Sequence, residues 1–159
     1  GVYSIQACRY VAGANPVEVT ATISNTSGDT RFAEVEESIA FTLKFPDGCL
    51  ATGSASWNYA LQNYFRAVGT NGWVELDPAT SNANLRMFAS KTPSGSAGAT
   101  QPARVVEERF YASVDQLPVM FDHFSDCVLN DRTPMLAAEE GLRDLEVIEA
   151  LYESARTGR

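Results

Sequence analysis

Apolar residues in the first dozen positions recur at steps of three and four: Val2, Ile5, Cys8 or Arg9, and Ala12. That spacing lays them along one face of a helix, and Gly13 with Pro16 just beyond supplies its stop. A helix of about three turns is marginal in water, so this one has to pack on something. At Pro16 the period changes to two. Val17, Val19, Ala21 and Ile23 alternate with Glu18, Thr20, Thr22 and Ser24, which predicts a half-buried strand. Asn25 to Asp29 is a turn cluster. Beyond it Val35, Glu37, Ile39, Phe41, Leu43 and Phe45 fall on one side of a second strand, with Ser38, Ala40, Thr42 and Lys44 on the other. Pro46-Asp47-Gly48 then predicts a hairpin, because Pro presets φ and Gly accepts positive φ.

The strand expected from Cys49 to Trp57 carries small residues on both faces, which lets another backbone or a ligand approach closely. Another runs from Gln62 to Val68, and Thr70-Asn71-Gly72 turns it into a partner in which Trp73, Glu75 and Asp77 alternate with Val74 and Leu76. Leu85 to Ala89 is a short strand. Lys91 to Ala103 has almost no large side chains and reads as a mobile surface loop, after which Arg104 to Tyr111 resumes a strand. Two helices follow. Asp115 is the N-cap of the first, with Leu117, Met120 or Phe121, Phe124 and Val128 on its apolar face. The second starts near Ala138, with Leu142, Leu145, Ile148, Leu151 or Tyr152, and Ala155 as its buried stripe. The predicted fold class is therefore α+β: one domain over residues 1–159, a largely antiparallel, open-faced sheet with helices packed on one face, a short N-terminal helix and two C-terminal helices.

Bulk properties narrow the function. The chain has 159 residues and a net charge of -8, from 20 acids against 12 bases, so a phosphate backbone would be repelled and nucleic acid is excluded as a partner. No apolar run reaches the ~18–20 residues of a membrane helix, so no membrane partner is expected. Cys8, Cys49 and Cys127 stand far apart, and the chain has one His, so no structural metal is expected. Wide spacing and an odd count fit reduced, mostly buried thiols and a cytoplasmic location, with the periplasm left open.

Several residues invite a chemical role and have a plainer one. His123 sits one position off the apolar face of its helix, with no partner in reach of sequence reasoning, and reads as a surface or boundary histidine. Glu139 and Glu140 are adjacent on a helix and point ~100° apart, so they complement the macrodipole better than they flank a glycosidic bond. Glu34, Glu36 and Glu37 lack the pattern of a calcium loop and read as a solvated strand edge. The cysteines have no neighbouring His or Lys to activate a thiol. Tyr3 on composition alone is a packing residue, because a phenol of ordinary pKa near 10 is a poor acid or base at neutral pH.

The order of motifs changes the reading of Tyr3. Gly1-Val2-Tyr3 and the run Cys8 to Val19 are followed by Arg31-Phe32-Ala33-Glu34-Val35-Glu36-Glu37, Phe45-Pro46-Asp47-Gly48 and Val68 to Pro78. Then come Asp122-His123-Phe124-Ser125-Asp126-Cys127, Glu139 to Asp144, and Ile148 to Arg156. This series, covering nearly the whole chain in order, resembles the C-terminal domain of the Gfo/Idh/MocA family, in its glucose-fructose oxidoreductase-like branch. The resemblance implies that a preceding Rossmann domain binds NAD or NADP and brings a lysine to the reacting carbon. It also implies that Gly1 and Tyr3 are the end of an Asp-x-Gly-x-Tyr motif whose Asp precedes residue 1, and that Tyr3 is the catalytic acid/base on a sugar or polyol hydroxyl. After Asp77-Pro78-Ala79 the chain departs from the family, being small and polar from Thr80 to Asn84 where relatives often carry an aromatic.

These residues contain no Gly-x-Gly-x-x-Gly and no Glu-Lys-Pro. The expectation is therefore a substrate-binding and oligomerisation domain of an NAD(P)-dependent oxidoreductase acting on CH–OH groups. It would be inactive and free of cofactor without its nucleotide-binding domain, and would form a homodimer or homotetramer through the sheet face, with the strands from Cys49 to Val68. Two rivals are a stand-alone dimerisation or binding module using that face, and a hydrolase using Glu36 or Glu37.

Overall fold

The structure is a computed structural model that describes residues 1–26, 28–60, 63–80, 83–91 and 107–158. It divides into two compact units, the first formed by Gly1–Ala60 with Met135–Arg159 and the second by Leu61–Pro134. The expected α+β class holds, with antiparallel pairing throughout, but the strands belong to two sheets.

In the first unit, helix α1 spans Val2–Ala12 and ends where Gly13 takes φ 66° and donates its N–H to the Arg9 carbonyl. Strands β1 (Glu18–Ser24), β2 (Ser38–Lys44) and β3 (Leu50–Ser56) form a sheet in that order. The β1–β2 connection is organised by Asn25. Its Nδ2 donates to the carbonyls of Phe32 and Val35, and its Oδ1 accepts from the Glu37 N–H. A 3-10 turn at Thr30–Phe32, capped by Asp29, tucks Phe32 into the core. The β2–β3 hairpin closes through Gly48 N–H to the Phe45 carbonyl, with Gly48 at φ 87° as its sequence requires.

The period-two reading of β2 holds: Phe41, Leu43 and Phe45 are buried, and Leu151 of helix α3 (Ala138–Thr157) joins them. The small residues of β3 have a specific cause. Gly53 pairs with Phe41, and a Cβ there would lie 2.3 Å from the Phe41 Cζ, so the ring occupies the space a side chain would need. Helix α3 lies along β1, where Ser154 Oγ accepts the Ala21 N–H, and α1 packs against both α3 and β3.

Two expectations need correction here. The buried stripe of α3 is Asp144, Val147, Leu151 and Ser154, whereas Leu142 and Leu145 are exposed. The stripe is rotated because a charged and a hydroxyl side chain with partners replace two of its apolar members. Glu37 is buried, not part of a solvated edge, since it continues the inward face of β2.

The second unit holds β4 (Phe65–Gly69), β5 (Gly72–Leu76), β6 (Arg86–Ser90) and β7 (Glu107–Phe110) in sequential order, followed by helix α2 (Gln116–Leu129). Thr70 and Asn71 form the tight turn between β4 and β5. The Asp115 carboxylate caps α2 by accepting the Leu117 N–H. The apolar face expected on α2 is present as a pattern, but Leu117, Met120, Phe121, Phe124 and Val128 are exposed and Cys127 is its one buried residue. Residues 61, 62 and 92–106 lie outside the described set, and with them the start of the expected strand at Gln62, most of the Lys91–Ala103 loop and the start of the strand at Arg104.

Candidate functional site

Helix α1 presents two faces with different fates. Ile5, Cys8 and Arg9 are buried, while Tyr3, Tyr10 and Val11 point away from the core. Tyr3 stands in the first turn and is 67% exposed, so its phenol is held on a fixed helix and open to solvent.

The buried face of α1 is fastened by one guanidinium. Arg9 Nε donates to Asn15 Oδ1 at 2.8 Å, Nη2 to Glu140 Oε2 at 2.9 Å, and Nη1 to Asp144 Oδ1 at 2.5 Å, with the Glu140 carbonyl at 3.4 Å. Arg9 and Asp144 are both buried, and Glu140 also pairs with Arg143. Glu140 thus does more than complement the macrodipole of α3.

Beside the start of α1, Val2, Ile5, Ile39, Phe41, Ile148 and Leu151 line a cleft of about 160 Å³. Its polar groups are Glu36 and Tyr152, whose hydroxyl donates to the Glu36 carboxylate at 2.9 Å. Burial, reinforced by that hydrogen bond and the Glu36 charge, raises the Tyr152 pKa above the ordinary phenol value. Glu37 goes elsewhere: it accepts from the Thr26 N–H at 2.7 Å and from Asn58 Nδ2 at 2.9 Å. Hydrogen bonding from Thr26, then from Asn58, holds its carboxyl below the usual range. With Glu36 and Glu37 committed to different partners, they do not form the facing pair that glycoside hydrolysis requires.

His123 is exposed, and its Nε2 lies 3.6 Å from the buried Cys127 Sγ, so the expectation that no His neighbours a cysteine does not hold for Cys127. All three cysteines are free. Cys8 and Cys127 are buried and Cys49 is exposed, which corrects the expectation for Cys49. Burial, with a smaller contribution from Cys49, pushes the Cys8 thiol up, away from the thiolate a nucleophile needs. Among the described residues no group of three or more His, Cys, Asp or Glu could hold a metal, and no helix is long and apolar enough to cross a membrane. Of the loop after Asp77-Pro78-Ala79, Ser81 and Asn82 lie outside the described residues.

Sequence reasoning missed Arg9 and Asp144. The signal was the alternative at the third position of the α1 face, Cys8 or Arg9, where a charged residue occupied a slot expected to be apolar.

The model of the oxidoreductase family C-terminal alpha/beta domain, GFO_IDH_MocA_C, matches residues 1–159. A D-xylose 1-dehydrogenase (NADP(+)) of Haloarcula marismortui is 30% identical over 158 residues, which is 99% of this chain and 41% of that protein. D-xylose 1-dehydrogenase (NADP(+)) 2 of Haloferax volcanii is 28% identical over 99% of this chain and 45% of its own length. Among solved structures, the aldose-aldose oxidoreductase from Caulobacter crescentus complexed with glycerol superposes with a TM-score of 0.82 and 38% identity, covering 100% of this chain and 44% of that one. The chain therefore spans less than half the length of these relatives.

Proposed function

We propose, for a chain that belongs to the Gfo/Idh/MocA oxidoreductase family and forms its C-terminal α/β domain, that it is the substrate-side domain of an NADP-dependent dehydrogenase acting on a sugar CH–OH group. Aldoses head the substrates to test, since the curated relatives are named for D-xylose and the solved one for aldoses. The observation that carries the reading is the place of Tyr3, exposed on the first turn of a helix whose other face is buried. In this reading Tyr3, as its phenolate, takes the proton from the substrate hydroxyl while the hydride on the same carbon would pass to the nicotinamide held by the rest of the parent, and the phenol returns the proton in the reverse direction.

The cofactor does not fit the residues described here. A dinucleotide site of the Rossmann type needs a parallel strand–helix–strand unit with a glycine-rich turn, and both sheets pair antiparallel throughout. Nicotinamide chemistry is accordingly assigned to the remaining part of the parent protein, and residues 1–159 by themselves are expected to bind no NADPH. Titration calorimetry of the isolated chain with NADPH tests this, and micromolar affinity would overturn it.

In the parent, Tyr3→Phe should lower kcat by ~10²–10⁴, the usual contribution of general acid–base catalysis. Turnover of D-xylose within a few-fold of wild type would remove Tyr3 from the reaction.

The sheet of the second unit supplies a surface for self-association. On one face Arg66 lies 4.7 Å over Trp73 and pairs with Glu75, and Arg86 lies 5.3 Å over Phe88. Arg and aromatic residues concentrated in this way favour association of two copies. Trp73→Glu should convert a dimer or tetramer of the parent to monomer in sedimentation velocity. An unchanged coefficient would place the interface elsewhere.

A further inference from the structure

Arg9 makes four hydrogen bonds from one buried side chain, where charge burial by itself is a weak source of stability. Removing two opposite charges from water offsets most of what their attraction returns, and an apolar pair of similar volume often serves a buried site as well. What an apolar pair cannot supply is direction. The guanidinium fork binds three residues on two pieces of chain in fixed geometry: Asn15 just after α1, and on α3 the Glu140 carboxylate and carbonyl in the first turn with Asp144 one turn later. Around it the apolar anchoring of α1 is thin, since Ile5 and Cys8 are its only other buried residues.

Tyr3 lies six residues before Arg9 on the same helix, about 9 Å along the axis at ~1.5 Å per residue. A tilt of about 10° about the Arg9 end would move the first turn by roughly 1.5 Å on that geometry. Misplacing a reacting group by ~1 Å can cost ~10²-fold in rate. We infer that the Arg9–Glu140–Asp144 cluster is a positioning device, which sets the angle of α1 and so the place of the Tyr3 hydroxyl against the substrate. The inference rests on the proton-transfer role proposed for Tyr3, and Arg9 acts through it without touching substrate.

The test uses the full-length parent, with Arg9→Met combined with Asp144→Leu. The double variant should melt within a few degrees of wild type, because apolar replacement of a buried pair is often neutral. Its kcat should fall about 10- to 100-fold, while KM for the cofactor stays unchanged. Built into Tyr3→Phe, the same pair should cost no more than about twofold, since the group it positions is already gone. Wild-type turnover in the double variant, or losses that multiply with Tyr3→Phe, overturns the inference. If the double variant melts far below wild type, Arg9→Lys and Asp144→Asn, corrected for folded fraction, are judged by the same two criteria. Tyr3→Phe alone keeping full turnover brings down the functional reading and the inference with it, which separates that failure from failure of the positioning role.

Discussion

The two sheets have comparable alternating sequences and very different interiors. In the first unit Phe41, Leu43 and Phe45 are buried beneath α1 and α3, and Leu43 has 0% exposure. In the second unit the described residues with full burial are Ser90 and Cys127, and Trp73, Phe88 and Leu76 remain half-exposed. Alternation decides which residues share a face. Whether that face becomes a core depends on a covering layer, and helices pack on the three-stranded sheet.

That contrast can be broken most directly by truncation. Phe45→Ala should cost ~3–5 kcal/mol and Leu43→Ala ~2–5 kcal/mol, as large-to-small changes in a filled interior do. Trp73→Ala should cost less than Phe45→Ala, because Trp73 keeps part of its surface exposed. Urea denaturation of the three variants checks the order, and equal losses would mean that the second sheet is as well packed as the first. The next effect belongs to Gly53→Val, where the new side chain would meet the Phe41 ring and overpacking costs ~1–3 kcal/mol. Asp115→Ala, which removes the α2 cap, should cost ~1 kcal/mol by thermal melting. The smallest effect is the pH dependence of the first unit. The Glu37 carboxyl lies below its ordinary 4.5 in the folded state, so its stabilisation is complete above that value and is lost as pH falls further. Glu37→Gln should flatten this part of the acid-unfolding curve; a curve of unchanged slope would show that Glu37 is not a titrating contributor.

Local pattern was sufficient for what is local. The stop of α1 at Gly13, the hairpin at Pro46-Asp47-Gly48, the inward face of β2 and the Asp115 cap all follow from neighbours a few positions apart. What escaped was polar burial with distant partners. Arg9 and Asp144 are 135 residues apart, and only their meeting makes either comfortable inside. Ser154 sits in the α3 stripe because the Ala21 N–H needs an acceptor, a fact about another element. The apolar face of α2 follows from its sequence but its exposure does not, since periodicity carries no information about cover. The role proposed for Tyr3 rests on resemblance, because nothing in its own neighbourhood marks a phenol for chemistry.

The pairing of α1 with α3 has a consequence for the order in which the protein can be made. A ribosome releases α1 and β1–β3 early, then threads out all of the second unit before α3 exists. During that interval Leu43 and Phe45 lack the helix that contributes Leu151, and Arg9 lacks its carboxylates. Contacts of such separation close late, after a long loop has been gathered in. The first unit by sequence is thus the last to be completed, and its exposed aromatic strand is the segment a nascent chain must keep from its neighbours.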